Sequence, residues 1–430
     1  MNDLDRYLDR IGQRPWLVPD TPSSDLNMAV VLPSFAEENL PLTLESLAQC
    51  NFLPRFRAEV IVVFNCPAHA SDEEKELHNK SVRDVEKWIG QYANPSLPVY
   101  LVHAPAVPTK YSGVGHARKT GMDEGIARFL RAGGDDGILI SLDADTLVDK
   151  NYFDEIDRYF TTHMQMEGCA VYYEHPLKGD DYPPDVYRAI TDYEIHLRYH
   201  VGGMKYAGSP YAFHTLGSAF AVRASAYARL GGMKARQGAE DFYFLQKIMD
   251  LGKFGELNET RVIPSPRPSG RVPFGTGPVV TEWVRRKNLS YSTFAFEAYC
   301  WLRNFFRQMN RYYLLGAGET EDLLKETLHP GIGEFLLRNG FPSANEEINR
   351  NVASLASYRK RLFRWFNGFR TVKYLNDVHR RFLEKQPVTQ EAVKLLNALG
   401  LKPQYRNAAG LLEVFRKLDR EGYKEITLPQ

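Results

Sequence analysis

Ile138-Leu139-Ile140-Ser141-Leu142-Asp143-Ala144-Asp145-Thr146 is an apolar run that ends in two carboxylates spaced i, i+2. A short continuous apolar run closed by polar residues reads as a strand covered on both faces. Ala29 to Leu32, Val60 to Phe64 and Val99 to Val102 have the same form, with helical stretches at Leu40 to Cys50 and from about Gly115 to Ala132. Alternation of this kind gives an α/β chain whose mostly parallel sheet is flanked by helices, with ligands gathering beyond the carboxyl ends of the strands. Polar clusters follow three of the runs there: Pro33-Ser34-Phe35-Ala36-Glu37-Glu38, Asn65-Cys66-Pro67 and Asp143-Ala144-Asp145.

Outward from this half, residues 1–25 are polar and end in the turn-rich Pro19-Asp20-Thr21-Pro22-Ser23-Ser24-Asp25, which reads as an N-terminal extension. Ala170 to Tyr173 gives a further strand, followed by a helix whose apolar face includes Tyr187, Ile190, Leu197 and Val201. After Pro278 the pattern is helical, with Pro and Gly breaks around 330 to 343. The expected division is an extension 1–25, a main domain 26–279 and a helical C-terminal region 280–430.

The 54 Lys and Arg nearly balance the 53 Asp and Glu, so a net charge of +1 gives no global reason to expect a nucleic-acid partner. Cys50, Cys66, Cys169 and Cys300 are far apart with no C-x-x-C pair, which argues against a zinc cluster or a disulfide framework and fits a cytoplasmic setting. The charged start has no apolar signal core, and no segment approaches the roughly 20 apolar residues that span a bilayer. Tyr and Phe, 24 of each, can stack on sugars, but packing accounts for most of them.

At strand period Asp143 and Asp145 would share one side and converge on one cation. Mg²⁺ or Mn²⁺ beside a diphosphate takes one or two carboxylates, with water and phosphate supplying the rest. The plainer alternative is a solvated turn. Gly238-Ala239-Glu240-Asp241 precedes Phe242, Leu245, Ile248 and Met249 at helical spacing, with Gly252 as a stop. Two carboxylates thus sit at a helix N-terminus, where the dipole favours their ionised form, and Asp241 could accept a hydroxyl's proton. An ordinary acidic helix start is the competing reading.

Taken in order, Pro33 to Glu38, Val60 to Asn65, Asp143-Ala144-Asp145, Gly217-Ser218-Ala219-Phe220 with Gly231-Gly232, and Glu240-Asp241 resemble the inverting family 2 glycosyltransferases of the GT-A fold, over about 27 to 255. The resemblance implies that Pro33, Ser34 and Glu37 border a nucleotide pocket. It further implies that Asp143 and Asp145 hold ribose and a Mg²⁺ or Mn²⁺ ion, and that Asp241, beside Glu240, is the catalytic base. Asn65 stands where the family's second strand usually ends in an acidic residue that contacts the base or ribose. Lys110 to Gly121 resembles the family's Gly- and Arg-containing segment before D-x-D; Gly113 and Gly115 would let backbone approach the donor, and Lys110 and Arg118 would meet phosphate or base. A dinucleotide fingerprint fails there because Arg118 occupies the place of its last glycine. The implied reaction is hexosyltransferase-type: a sugar from a UDP- or GDP-sugar passes to a hydroxyl of a glycan, lipid or small molecule.

Arg261 to Gly277, rich in Pro and Gly and containing Arg267 and Arg271, reads as a lid whose arginines close over the donor diphosphate, or as an exposed connecting loop. His214 is a candidate third metal ligand or acceptor contact, and Glu174 and His175 are candidates for the acceptor side. Tyr358, Leu362, Trp365, Phe366 and Phe369 share a helical face beside Arg359, Lys360, Arg361, Arg364 and Arg370. Such a helix can make a peripheral contact with an anionic membrane, or can be a charged face over a helical core. Processive synthases of the resembled family carry Q-x-x-R-W and membrane helices; here Arg361 replaces the Gln before Arg364-Trp365, so transfer is expected to be non-processive. The rivals are a retaining GT-A enzyme, a nucleotidyltransferase, and a binding protein without turnover. The nucleotidyltransferase would want a Gly- and Lys-rich loop where Pro33-Ser34-Phe35-Ala36 stands, and the binding protein draws its support from Asn65.

Overall fold

Leu26–Ser34 (β1), Arg57–Phe64 (β2), Val99–His103 (β3) and Ile138–Ser141 (β4) pair in parallel in a computed structural model, in the order β3-β2-β1-β4. The structure describes all residues except 1, 13–15, 53–56, 93, 95, 106, 109–111, 135, 236–237, 272–274, 287–289, 405 and 424–430. Ala29 to Leu32 and Val60 to Val63 have no exposed surface, which is why these strands are apolar on both faces. Beyond β4 the sheet adds Thr146–Val148 (β5), Gly168–Tyr173 (β6), Phe220–Arg223 (β7) and Phe254–Pro264 (β8), completing the order β3-β2-β1-β4-β7-β6-β8-β5. Since β7 runs antiparallel to β4, with Phe220 opposite Ser141, the Gly217-Ser218 segment before it arrives at the carboxyl end of β4.

The helices up to residue 249 are Asp3–Ile11 (α1), Leu40–Ala48 (α2), Asp72–Gln91 (α3), Val114–Arg131 (α4), Tyr152–Thr162 (α5), Pro184–Ala207 (α6), Ala224–Arg229 (α7) and Glu240–Met249 (α8), of which α6 lies mostly in the second of the two units described below. Helix α4 packs closely on the sheet because Gly121 and Gly125 face it. A Cβ at Gly121 would lie 2.4 Å from Val31 Cγ1, and one at Gly125 would lie 2.6 Å from Leu139 Cδ2. This close seat fixes where the first turns of α4, with Gly113 and Arg118, meet the end of the sheet.

Two compact units make up the chain: Met1–Tyr187 with Thr215–Glu282, and Arg188–His214 with Trp283–Gln430. The chain passes to the second unit after Glu282, close to the expected break at 280, but that unit also takes in 188–214, and there is no break at 26. Residues 1–25 belong to the first unit because Leu4, Tyr7 and Leu8 of α1 are buried, and the hydroxyls of Tyr7 and Tyr227 donate to Asp123 Oδ1 at 2.7 and 2.9 Å. The Glu124 carboxylate also accepts the N–H groups of Leu17 and Val18 at 3.0 and 3.2 Å.

The second unit is helical around a core of aromatic side chains that includes Phe305, Tyr312, Phe341, Tyr358, Phe366 and Tyr374, all at most 1 % exposed. The helix Leu355–Trp365 stops before Asn367, whose side chain caps Gly368–Arg381 by accepting the Arg370 N–H at 3.0 Å. The expected single amphipathic helix is therefore two helices, and Tyr358, Leu362 and Phe366 turn inward. The apolar face offered to a membrane in the sequence reading is the unit's own core. Among the described residues, no helix is long and apolar enough to cross a membrane.

Candidate active site

Arg118 organises the site. Its side chain is 3 % exposed and holds three partners: Nε donates to Ser141 Oγ at 3.0 Å, Nη2 to Asp143 Oδ1 at 2.6 Å, and Nη1 to the Glu240 carboxylate. Ser141 Oγ in turn donates to the Gly217 carbonyl at 2.6 Å. One guanidinium thus ties α4, the end of β4, the approach to β7 and the start of α8. Arg118, expected on the donor's phosphate or base, is buried with three of its five N–H donors engaged inside the protein.

Glu240 and Asp241 part company. Ala239, the residue before α8, has φ +58°, a left-handed conformation that costs free energy without a glycine and recurs at functional sites. Glu240 points inward, 1 % exposed, onto Arg118. Asp241 Oδ1 accepts the Phe242 N–H at 2.7 Å, while Oδ2 lies 3.0 Å from where a Cβ on Gly217 would be. That same Cβ would be 2.7 Å from Arg118 Nη2, so only glycine fits between the two side chains. Burial pushes the Asp241 carboxyl up; Arg118 and the Phe242 N–H pull it back in part, and Asp143 adds to the rise.

A second cluster forms where the loop after β1 meets the strap after β8. The Arg267 guanidinium contacts Glu37 and lies 3.4 Å from Asp145 Oδ2. Arg271 Nη2 lies 2.8 Å from Glu37 Oε2, and its Nη1 donates to the carbonyls of Phe35 and Ala36 at 2.6 and 3.1 Å. Ala36 is a second non-glycine residue with positive φ, +49°. The strap therefore reaches the site, with its two arginines latched on Glu37. Burial pushes Asp145 up to about 7, and the negative charges of Glu37 and Asp143 add to it, against the pulls of Arg267 and of its own backbone N–H. Burial also raises Glu37, offset in part by Arg267 and the Asn39 N–H.

Asp143 and Asp145 do not sit at strand period. Strand β4 ends at Ser141, and the pair lies in a turn in which the Thr146 N–H donates to the Asp143 carbonyl at 3.2 Å. Their carboxylates consequently face different arginines, and among the described residues no group of three His, Cys, Asp or Glu could hold a metal ion. Pro33 is the buried penultimate residue of β1. Ser34 Oγ, at the strand's end, is buried without a hydrogen-bond partner. Asn65 links the ends of β1 and α4: its N–H donates to the Ser34 carbonyl at 3.0 Å and its Nδ2 to the Gly113 carbonyl at 2.9 Å. Gly115 is buried in the first turn of α4, and Lys110 lies outside the described residues. Glu174 is held by the Tyr172 hydroxyl and by Arg261 at 3.2 Å. Sequence reasoning missed Ser141 and the His78 ring, whose Nδ1 accepts the Ala36 N–H at 3.5 Å; neither has a local signal in the chain.

His214 belongs to the second unit, where its Nε2 lies 3.0 Å from Asp419 Oδ2, so its ring is committed there. Arg198 Nη1 meets the same oxygen at 2.5 Å. Burial raises the Asp419 carboxyl, but His214 and Arg198 outweigh it and hold it at about 2. A depressed carboxyl stabilises the fold above its unfolded value and loses that contribution as pH falls through the folded one. Asp419→Asn is expected to lower unfolding free energy at pH 7 by about 2 kcal/mol, a gap that closes between about pH 4 and pH 2 in urea titrations. An equal gap at pH 7 and pH 2 would contradict the assignment.

Residues 138–383, more than half the chain, match the family described as Glycosyl transferase family group 2. No curated protein matches by sequence. Among solved structures, the chain is similar to S. aureus TarS 1-349 at 13 % identity and TM-score 0.38, over 80 % of this chain and 92 % of that one. It is similar to the mannosyltransferase PcManGT from Pyrobaculum calidifontis, in complex with GDP-Man and Mn²⁺, at 15 % identity and TM-score 0.37, over 89 % and 94 %. Glucosyl-3-phosphoglycerate synthase from Mycobacterium tuberculosis, in complex with Mn²⁺, UDP and phosphoglyceric acid, is a third, at 13 % identity and TM-score 0.31, over 66 % and 88 %. By the family match over more than half its length, the chain belongs to Glycosyl transferase family group 2 and is a glycosyltransferase.

Proposed function

We propose that the first compact unit transfers a sugar from a UDP- or GDP-sugar to an acceptor hydroxyl, with inversion, non-processively and with Mg²⁺ or Mn²⁺. The observation that carries this is the excess of carboxylates at one end of the sheet, where Glu37 and Asp143 help raise Asp145 to about 7. Asp143 and Asp145 offer hard oxygen donors of the kind that Mg²⁺ or Mn²⁺ takes, with water and the donor's phosphates completing the shell. Asp145 would hold the ion, with Asp143 offering the oxygen that Arg118 leaves open. When bound, the ion supplies positive charge against the departing diphosphate.

This chain's own residues do the rest. Ser34 Oγ, buried and unpartnered, is a donor and acceptor available to the nucleotide. Arg118 fixes Asp143 and the start of α8, so that Asp241 keeps one geometry relative to the end of β4. Asp241, raised above the ordinary carboxylate range, takes the proton from the attacking hydroxyl. Arg267 and Arg271, both paired with Glu37, would exchange it for phosphate oxygens and so close the strap on the donor. The four cysteines are free, which suits a reducing cytoplasmic setting.

Thermal unfolding with UDP- and GDP-sugars, each with and without Mn²⁺, tests the reading. One nucleotide should stabilise the protein in a Mn²⁺-dependent way, by about 2.7 kcal/mol at a hundredfold excess over Kd. Asp145→Asn should remove the Mn²⁺-dependent part. No stabilisation by any donor, with metal or without, would refute the donor site.

A further inference from the structure

The second unit carries a charge asymmetry that sugar transfer does not use. Between Leu355 and Lys385 nine Lys and Arg stand against two acids, Asp377 and Glu384, a net +7 in a chain of net +1. The remainder of the chain is therefore net −6. All nine except Arg370 are exposed. The cause is local: Tyr358 and Leu362 of one helix, and Tyr374, Leu375 and Val378 of the next, are buried, so the intervening cations are turned to solvent.

Some of these cations meet acids. Arg381 lies 2.8 Å from Glu334 and Arg380 lies 3.8 Å from Asp377, while Arg338 takes the other Asp377 oxygen at 2.6 Å. Apolar surface is exposed in the same segment. At helical period Phe369, Lys373, Asn376 and Arg380 form one stripe of Gly368–Arg381, and all four are exposed. Phe369 is 47 % exposed, and Phe382, directly after the helix, is 36 % exposed.

We propose that this basic segment docks the protein peripherally on an anionic lipid bilayer. Phe369 and Phe382 enter the headgroup boundary, and exposed cations such as Lys360, Arg361, Arg364, Lys373 and Arg380 meet lipid phosphates. A soluble polyanion matches the charge equally well but gives the two exposed rings nothing to do, so the bilayer is the better fit. This differs from the single amphipathic helix of the sequence reading, whose apolar face is core.

Co-sedimentation with phosphatidylcholine vesicles, with and without about one-third phosphatidylglycerol, tests the proposal and needs no sugar donor. The protein should bind the anionic vesicles at low salt, leave them at high salt, and ignore the neutral ones. Each cation at the surface is worth about fivefold, so the variant K360E/R361E/R364E should bind at least about a hundredfold less while its thermal unfolding is unchanged. F369S/F382S should bind vesicles about tenfold less yet bind a polyphosphate chain as the parent does. Three results would overturn the proposal: no vesicle binding by the parent protein, vesicle binding independent of lipid charge, or an F369S/F382S variant that binds vesicles normally. The last would assign the surface to a soluble polyanion.

Discussion

Asp241→Asn is expected to lower kcat about a thousandfold while leaving donor affinity within about twofold, as removal of a general base does. The substitution is nearly isosteric, and the Asn Oδ1 can still accept the Phe242 N–H that Asp241 accepts at 2.7 Å, so the start of α8 is kept. Glu240 cannot take over, because its side chain is 1 % exposed and paired with Arg118. Burial raises Asp241, so kcat/KM of the parent enzyme should fall on the acid side through a one-proton limb centred above the ordinary value of about 3.9. The variant should lack that limb. Nucleoside diphosphate release against pH, with donor binding by calorimetry, measures both. A variant with more than a tenth of parental kcat would remove Asp241 from the chemistry.

Arg118→Met is expected to destabilise the first unit by about 3–5 kcal/mol, since it leaves the buried Glu240 carboxylate without its cation. Lysine should rescue little, because one ammonium cannot reproduce the fork that reaches Ser141, Asp143 and Glu240 together. The double variant R118M/E240Q should recover much of the loss, because Glu240, the more deeply buried of its carboxylate partners, is then no longer an unpaired charge. Urea unfolding of the three variants checks this. A loss below about 1 kcal/mol in the single variant would show that Arg118 is not the organising group.

The parallel half of the sheet was legible because both its faces are covered, so β1, β2 and β4 are plain apolar runs. Strand β8 was not, because Phe254–Pro264 alternates buried with partly exposed residues and carries Glu256, Asn258, Glu259 and Thr260. Helix α1 was hidden by its charge: only Leu4, Tyr7 and Leu8 mark a buried face, and the partner of Tyr7, Asp123, is 116 residues away. Glu37, Asp143, Asp145 and Asp241 stood out because each follows a strand or opens a helix. Their interactions did not. Strand period put both aspartates on one side of a strand, whereas they lie in the turn closed by the Thr146 N–H and meet Arg118 and Arg267. Arg118 read as a phosphate contact because nothing local announces Glu240, 122 residues on.

Asn367 shows the same limit on a smaller scale. Tyr358 to Phe369 has helical periodicity throughout, yet a single capping side chain starts a new helix and leaves Phe369 outside while Phe366 goes in. Periodicity fixes which residues share a face and says nothing of what that face meets.

The most direct test of the account is the anomeric configuration of the sugar released when the enzyme slowly hydrolyses its donor, read by proton NMR before mutarotation. Attack assisted by Asp241 from the face opposite the diphosphate should give the inverted anomer first, and Asp241→Asn should abolish it. Initial release of the retained anomer would contradict the assignment of Asp241 as the base and make this a retaining enzyme on the same sheet.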